Sequence, residues 1–283
     1  MDLSHLEAYL AVCKYRNFTK ASEHLHISQS AVTARIKGLE SEIGKVLLLR
    51  DNRNVSLTPA GTAFLPYAER MLRLFEESKV TLSEELEHYI ILSGPGAVWH
   101  FRYLEQILSF RRNRPKVAVK FLSYIDSSYM IRDLLLDGLV HVAIRNDAPS
   151  HPKVSAQCLF EDEYVLVSAK PRGSIVSRAD FYSPEYCHIE WGAAFQEWFA
   201  QMVGAGYVPP LQTDHSMILL TMLLKGAGFG FLPRSVAQPY LDKEELVELP
   251  CEYKAPVTAY YAHYLTEQRD HISVKLGLQL LGV

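Results

Sequence analysis

Between Gln29 and Gly44 the apolar residues Val32, Ile36, Leu39 and Ile43 recur at spacings of four, three and four, which is one stripe of a helix. Ser28 is placed to cap its start, and Gly44 falls just past its end. A shorter helix is predicted before it, from Thr19 as N-cap to about His26. Leu3, Leu6, Leu10 and Cys13 predict a further helix over residues 1–17, with Ser4 and Glu7 spaced as a capping box. Opposite the apolar stripe, the polar face of the third helix centres on Ser30, Thr33, Ala34 and Lys37, flanked by Gln29 and Arg35. Small residues let a helix sink into the major groove, and donors among them reach base edges or phosphates. An ordinary amphipathic helix pair has the same pattern, so these residues alone leave both readings open.

Two short apolar runs, Val46–Leu49 and Val55–Leu57, flank Arg50–Asn54 and predict a hairpin. Arg50 and Arg53 are its candidates for phosphate or minor-groove contact. Thr58–Pro59 then opens a long helix to about Tyr89, with an early kink expected at Pro66. Phe64, Ala68, Met71, Phe75, Ser78 and Leu82 repeat at coiled-coil spacing. A 58-residue domain is too small to cover that seam, so pairing with a second copy is expected.

After Tyr89 strands alternate with helices. Strands are predicted at 89–93, 117–123 and 140–144, with helices at 101–113 (apolar stripe Phe101, Leu104, Leu108) and 129–137, as in a parallel α/β sheet. Runs at 164–168, 188–191 and 229–232, with helices at 195–203 and 216–225, repeat the theme, so two lobes with a cleft are expected. The strand 257–262 and the helix 267–281 return to the first lobe. Ligands of such sheets sit beyond the carboxyl ends of the strands, where helix N-termini aim free N–H groups. That topology places Trp99, His100, Ser127, Ser128 and Arg145 at the mouth of the first lobe, and Trp191, Thr213 and His215 at the second. Two tryptophans would suit a flat or aromatic ligand, and Arg145 with Ser128 a carboxylate. Either tryptophan could equally be core, and Arg145 could equally pair with Asp147 or Asp126.

With 48% hydrophobic and 22% charged residues, the 283-residue chain fits two or three packed domains. No apolar run approaches the roughly 20 residues of a membrane span, and Met1–Glu7 lacks the basic start and apolar core of a signal peptide. Cys13, Cys158, Cys187 and Cys251 lie far apart, so reduced thiols in a cytoplasmic protein are expected, with neither metal nor disulfide framework. Net charge is -3, yet residues 1–58 carry eight Lys/Arg against six Asp/Glu. A single, weakly basic module binds DNA poorly, so two copies must act together. Neither G-x-S-x-G, G-x-x-x-x-G-K-[ST] nor H-E-x-x-H occurs, and Gly226, Gly228 and Gly230 fail the G-x-G-x-x-G spacing. No catalytic residue is expected.

Leu6, Tyr9 and Val12, with F-T-K-A-S (18–22), S-Q-S-A-V-T (28–33), L-E-S-E-I-G (39–44) and L-T-P-A-G (57–61), resemble the N-terminal domain of LysR-type transcriptional regulators. L-L-L-D-G-L-V-H-V-A-I (134–144) and K-G-A-G-F-G-F-L-P (225–233) resemble the effector-binding domain of that family, whose fold is similar to the type 2 periplasmic binding proteins. Ala34 stands where many members carry Arg, Leu48 where Phe is usual, and His141 where Asp is usual. The resemblance implies a winged helix-turn-helix domain at 1–58, a linker and dimerisation helix at 59–89, and a two-lobed α/β effector-binding domain at 90–283. Lobe I would take about 90–163 and 262–283, lobe II about 164–261. It further implies a sequence-specific regulator of transcription, not an enzyme, without a cofactor and with a small-molecule effector of unknown identity between the lobes. Its partners would be double-stranded DNA at an inverted-repeat operator, further copies in a homodimer or homotetramer, and RNA polymerase, with no membrane. Gln29, Ser30 and Thr33 would read base edges, Lys37, Arg50 and Arg53 would hold the backbone, and Arg35 either. A small-molecule binding protein whose helix-turn-helix serves protein interaction is the alternative.

Overall fold

A computed structural model describes residues 2–50, 55–82, 85–123, 128–204 and 206–283, without the side chains of residues 50, 77, 80, 81 and 128–130. The chain divides into two compact units, residues 1–89 with 136–139, and the remainder.

In the first unit, α1 (Leu3–Tyr15), α2 (Phe18–Leu25) and α3 (Gln29–Ile43) pack around fully buried Tyr9, Val12, Val32 and Leu39. Ser28 caps α3 by accepting the Ala31 N–H at 3.2 Å, and Gly44 ends it at φ 71, as the sequence predicts. Two other caps differ. Asp2 caps α1, accepting from Ser4 N, so no Ser4 capping box forms. Asn17 caps α2, and Thr19 lies inside the helix, because Phe18 is already helical and drawn into the core. On α1 the buried positions are Leu6, Ala8, Tyr9, Ala11 and Val12; Leu3, Leu10 and Cys13 are only partly covered.

Strands β1 (Leu48–Arg50) and β2 (Val55–Leu57) pair antiparallel, and the hairpin tip lies outside the described residues. Thr58 then locks the turn into α4 (Pro59–Thr81): its hydroxyl donates to Val46 O at 2.8 Å and accepts from Gly61 N at 2.9 Å. A Cβ on Gly61 would stand 2.1 Å from Leu47 O, so only glycine fits there. Helix α4 continues through Pro66 but ends eight residues before Tyr89. Glu84, Glu85 and Glu87 would oppose the dipole of a longer helix, and the chain enters a strand at His88. The seam is also divided. Ala68 is fully buried, and Phe64 and Met71 are half-buried against the N-terminal core, so this small domain does cover the first half. Phe75 and Leu82 stay 39% and 83% exposed.

The second unit is built on one seven-stranded mixed sheet. Chain order gives β3 (His88–Ser93), α5 (Leu104–Asn113), β4 (Val117–Leu122), α6 (Ser128–Leu136), β5 (Val142–Arg145) and β6 (Val154–Ser168). There follow β7 (Cys187–Ile189), α7 (Ala193–Val203), β8 (Leu211–Thr213), α8 (Ser216–Leu224), β9 (Phe229–Pro233) and α9 (Arg234–Leu241). The chain closes with β10 (Val247–Glu248), β11 (Val257–Leu265) and α10 (Ile272–Leu281). The sheet order is β10-β6-β11-β5-β3-β4, with β9 also on β6; β7 and β8 form a separate parallel pair. Strands β3 and β5 are parallel as expected, but β6 runs antiparallel to β9, β10 and β11, so the sheet is mixed. The first ten residues of β6 escape the sequence pattern because Glu161, Asp162 and Glu163 break its apolar run. This strand passes from one core, at Leu159 and Phe160, to two others, at Tyr164–Val167, and thereby joins the lobes.

The predicted helix 101–113 is shorter. Val98–Arg102 forms a π-helical turn, and α5 buries Ile107 and Phe110, leaving Leu104 and Leu108 exposed at 41% and 39%. Among the described residues no helix is long and apolar enough to cross a membrane, and no group of three His, Cys, Asp or Glu could hold a metal ion.

Candidate nucleic-acid interface and ligand cleft

Helix α3 turns Val32, Ile36 and Leu39 fully inward, which leaves Gln29, Ser30, Ala34 and Lys37 exposed and Thr33 and Arg35 half-buried. The polar side is therefore free of the domain's own interior. Ser30 shares a 2.8 Å hydrogen bond with the capping hydroxyl of Ser28. The carboxyl of Asp2 is held low first by the Ser4 amide, with a smaller pull from Arg35. Glu40 Oε1 accepts from Leu47 N at 2.8 Å and Leu48 N at 3.2 Å, fixing the hairpin's first strand to α3. The side chain of Arg50 and the whole of Arg53 lie outside the described residues.

The cleft of the second unit is a cavity of roughly 250 Å³. Gly96, Ala97, Val98, Asn146, Trp191, Gly192, His215 and Ser216 line it, together with Asp162, Tyr260 and Ser235. Helices α7, α8 and α9 all begin there. Neither α7 nor α8 has a side-chain cap, so their first N–H groups remain available to a ligand. At α9, Asp162 accepts from Ser235 Oγ at 2.5 Å and Ser235 N at 3.3 Å, so this carboxylate is already committed. Trp191 is held from three sides: its carbonyl accepts from Asn146 Nδ2 and Tyr164 OH, and its indole N–H donates to Phe231 O at 3.0 Å. Burial pushes the Tyr164 and Tyr260 phenols up, keeping both protonated as donors.

Of the eight sequence candidates, Trp191 and His215 line this cavity. Trp99 is core: its indole N–H returns to Gly94 O at 3.1 Å and its ring meets Phe121 edge-on. His100 is exposed and packs edge-on against Phe101. Arg145 is taken by Asp147 through two hydrogen bonds, the shorter 2.5 Å, and borders a different void of about 10 Å³. Thr213 does not line the cavity but accepts from His215 N at 3.1 Å, shaping the loop. Ser127, and the side chain of Ser128, lie outside the described residues. Asp162, Tyr260 and Ser235 were not anticipated. Only Ser235 carried a signal, a small polar residue just after a strand that ends in proline.

Residues 3–62 match the family model described as bacterial regulatory helix-turn-helix protein, lysR family, and residues 67–281 match the LysR substrate binding domain. The HTH-type transcriptional regulators HdfR of Escherichia coli (strain SE11) and Shigella boydii serotype 18 are each 28% identical over 243 residues, covering 84% of either chain. Among solved structures, CbnR, a LysR family transcriptional regulator, superposes with a TM-score of 0.70 at 19% identity over 100% of this chain and 98% of that one. Full-length CbnR complexed with its target DNA gives 0.67 at 20% identity, covering 100% and 98%. CrgA from Neisseria meningitidis gives 0.58 at 19%, covering 99% and 98%.

Proposed function

The chain belongs to the LysR family of DNA-binding transcriptional regulators, and from that premise we propose which of its residues read DNA, how copies pair and what the cleft holds. Gln29, Ser30 and Thr33 contact base edges, Lys37, Arg50 and Arg53 contact the sugar-phosphate backbone, and Arg35 serves either. The observation that carries this reading is the exposed polar side of α3 over a fully buried apolar side. Two copies pair through the uncovered half of the α4 seam, where Phe75 and Leu82 are 39% and 83% exposed. The homodimer, alone or as half of a tetramer, presents two α3 helices to an inverted repeat in the cytoplasm, and acts on RNA polymerase at the promoter.

The effector is small, since the cavity falls below the usual 300–1,000 Å³ of drug-sized sites. A flat ring fits against Trp191, and acceptor atoms meet the free amides at the starts of α7 and α8. Arg145 is removed from this role by Asp147, so amide dipoles replace a guanidinium as the partner of any anionic group.

Footprinting with a salt titration tests the DNA reading. An inverted-repeat footprint is expected, and Lys37→Ala or Arg53→Ala should each lower the salt slope by about one without changing sequence preference. A wild-type slope for Arg53→Ala would remove the hairpin from the interface. Absence of a protected site at low salt would overturn the α3 assignment.

A further inference from the structure

Among the described residues, no lysine or arginine lines the cleft of the second unit, and His215 is its one group able to carry a positive charge. Asp162, Glu190 and Asp214 bring three carboxylates to the same cavity. None of the three has a cation as its printed partner. Asp162 accepts from Ser235 and from Glu163 N at 3.0 Å. Glu190 accepts from Gln196 Nε2 at 2.8 Å and Gln212 Nε2 at 3.0 Å, and both donors are neutral amides. Asp214 has neither a hydrogen bond nor an ion pair among the described residues.

The starts of α7, α8 and α9 supply the opposing charge, and magnitudes decide between them. A helix start is worth about half a positive charge, so three give roughly +1.5 against three full negative charges. The cleft is left negative by about 1.5 charges, and a cavity with low-dielectric walls focuses that field. Glu190 and Asp214 also stand just before α7 and α8, so the chain itself already answers those two dipoles. A ligand that is only an anion is therefore repelled. Trp191 points the same way. Its half-buried ring lines the cavity, three hydrogen bonds fix its position, and indole is the side-chain ring that attracts a cation most strongly.

We propose that the effector carries a protonated amine beside its ring, held by Asp214 and Glu190 with the Trp191 ring. The inference rests on the reading that this cleft holds an effector, and it fixes the charge which that reading leaves open. An acceptor group at the α7 and α8 amides then travels with a cation, as in an amino acid, or is absent.

Three probes sharing a phenyl ring and a two-carbon arm test this on the full chain: 2-phenylethylamine, phenylalanine and 3-phenylpropionate, each at about 10 mM, where a weak ligand still raises Tm. The amine and the amino acid should raise the Tm of the second unit, less so at high salt, and the acid should not. Asp214→Asn and Glu190→Gln should each weaken the amine about tenfold, and Asp214→Lys should transfer the preference to the acid. Ser216→Phe, which would place a ring in the cavity, should abolish every response. Equal or stronger stabilisation by 3-phenylpropionate overturns the proposal. So does an amine response unchanged in Asp214→Asn, Glu190→Gln and Ser216→Phe, with circular dichroism showing the variants folded. A response to the acid alone, lost in Ser216→Phe, sinks this inference and leaves the cleft reading standing; silence from all three probes sinks both.

Discussion

Helix α3 and the cleft of the second unit are built in contrasting ways. Cap, polar face, buried face and stop signal of α3 all lie within Ser28–Gly44. The cleft gathers single residues from segments as distant as Gly96, Asp162, Trp191, Ser235 and Tyr260. A site carried by one element declares itself through periodicity, whereas a site assembled from many depends on which side chains neighbours leave free. The first should fail locally when altered, and the second through residues that never touch the ligand.

The largest expected effect breaks the reader alone. Gly61→Ala places a methyl against Leu47 O and should cost about 3 kcal/mol or more of the first unit's stability, ending DNA binding. Denaturant unfolding of the full chain should show the second unit's transition unmoved; a joint collapse would break the comparison. Next comes an acid sensitivity that His188 adds to the second unit. Burial pushes the His188 imidazole down to about 4, below its ordinary 6.5. The unfolded chain therefore binds that proton first, so stability is complete above pH 6.5 and is lost as pH falls toward 4, by about 3 kcal/mol in all. Urea unfolding from pH 7.5 to 4.5 measures it, and His188→Gln should reduce the slope, the remainder coming from His263, whose imidazole burial also pushes down.

Asp162→Ala should cost about 2 kcal/mol by leaving the start of α9 uncapped, with Tm and the response to a ligand panel falling together. A variant with lower Tm but undisturbed ligand response would place Asp162 outside the cleft's support. The smallest effect sharpens the reader: Gln29→Ala should relax preference at one base pair by roughly 1–2 kcal/mol, seen by competition between operator variants, while leaving Tm unchanged.

Much of the N-terminal unit was legible because its motifs are its contacts. L-T-P-A-G holds the Thr58 hydroxyl bridge and the Gly61 close approach, and Tyr9 donates its hydroxyl to Gly61 O at 2.8 Å. In the second unit, competition between neighbours hid the outcome. Arg145 does stand at a strand end, but Asp147 two residues on captures it; Trp99 likewise lies at the first lobe's mouth in sequence yet folds back onto Gly94. Strand β6 was half invisible because the charged residues that interrupt its pattern include Asp162, which the cleft uses.

One carboxylate oxygen, Glu40 Oε1, serves two successive amides of the hairpin. Helix α3 and the start of the hairpin are thereby tied together, so that displacing one drags the other. On the reading proposed above, a ligand's signal acts by re-spacing or re-angling such pieces on the duplex rather than by reshaping one of them.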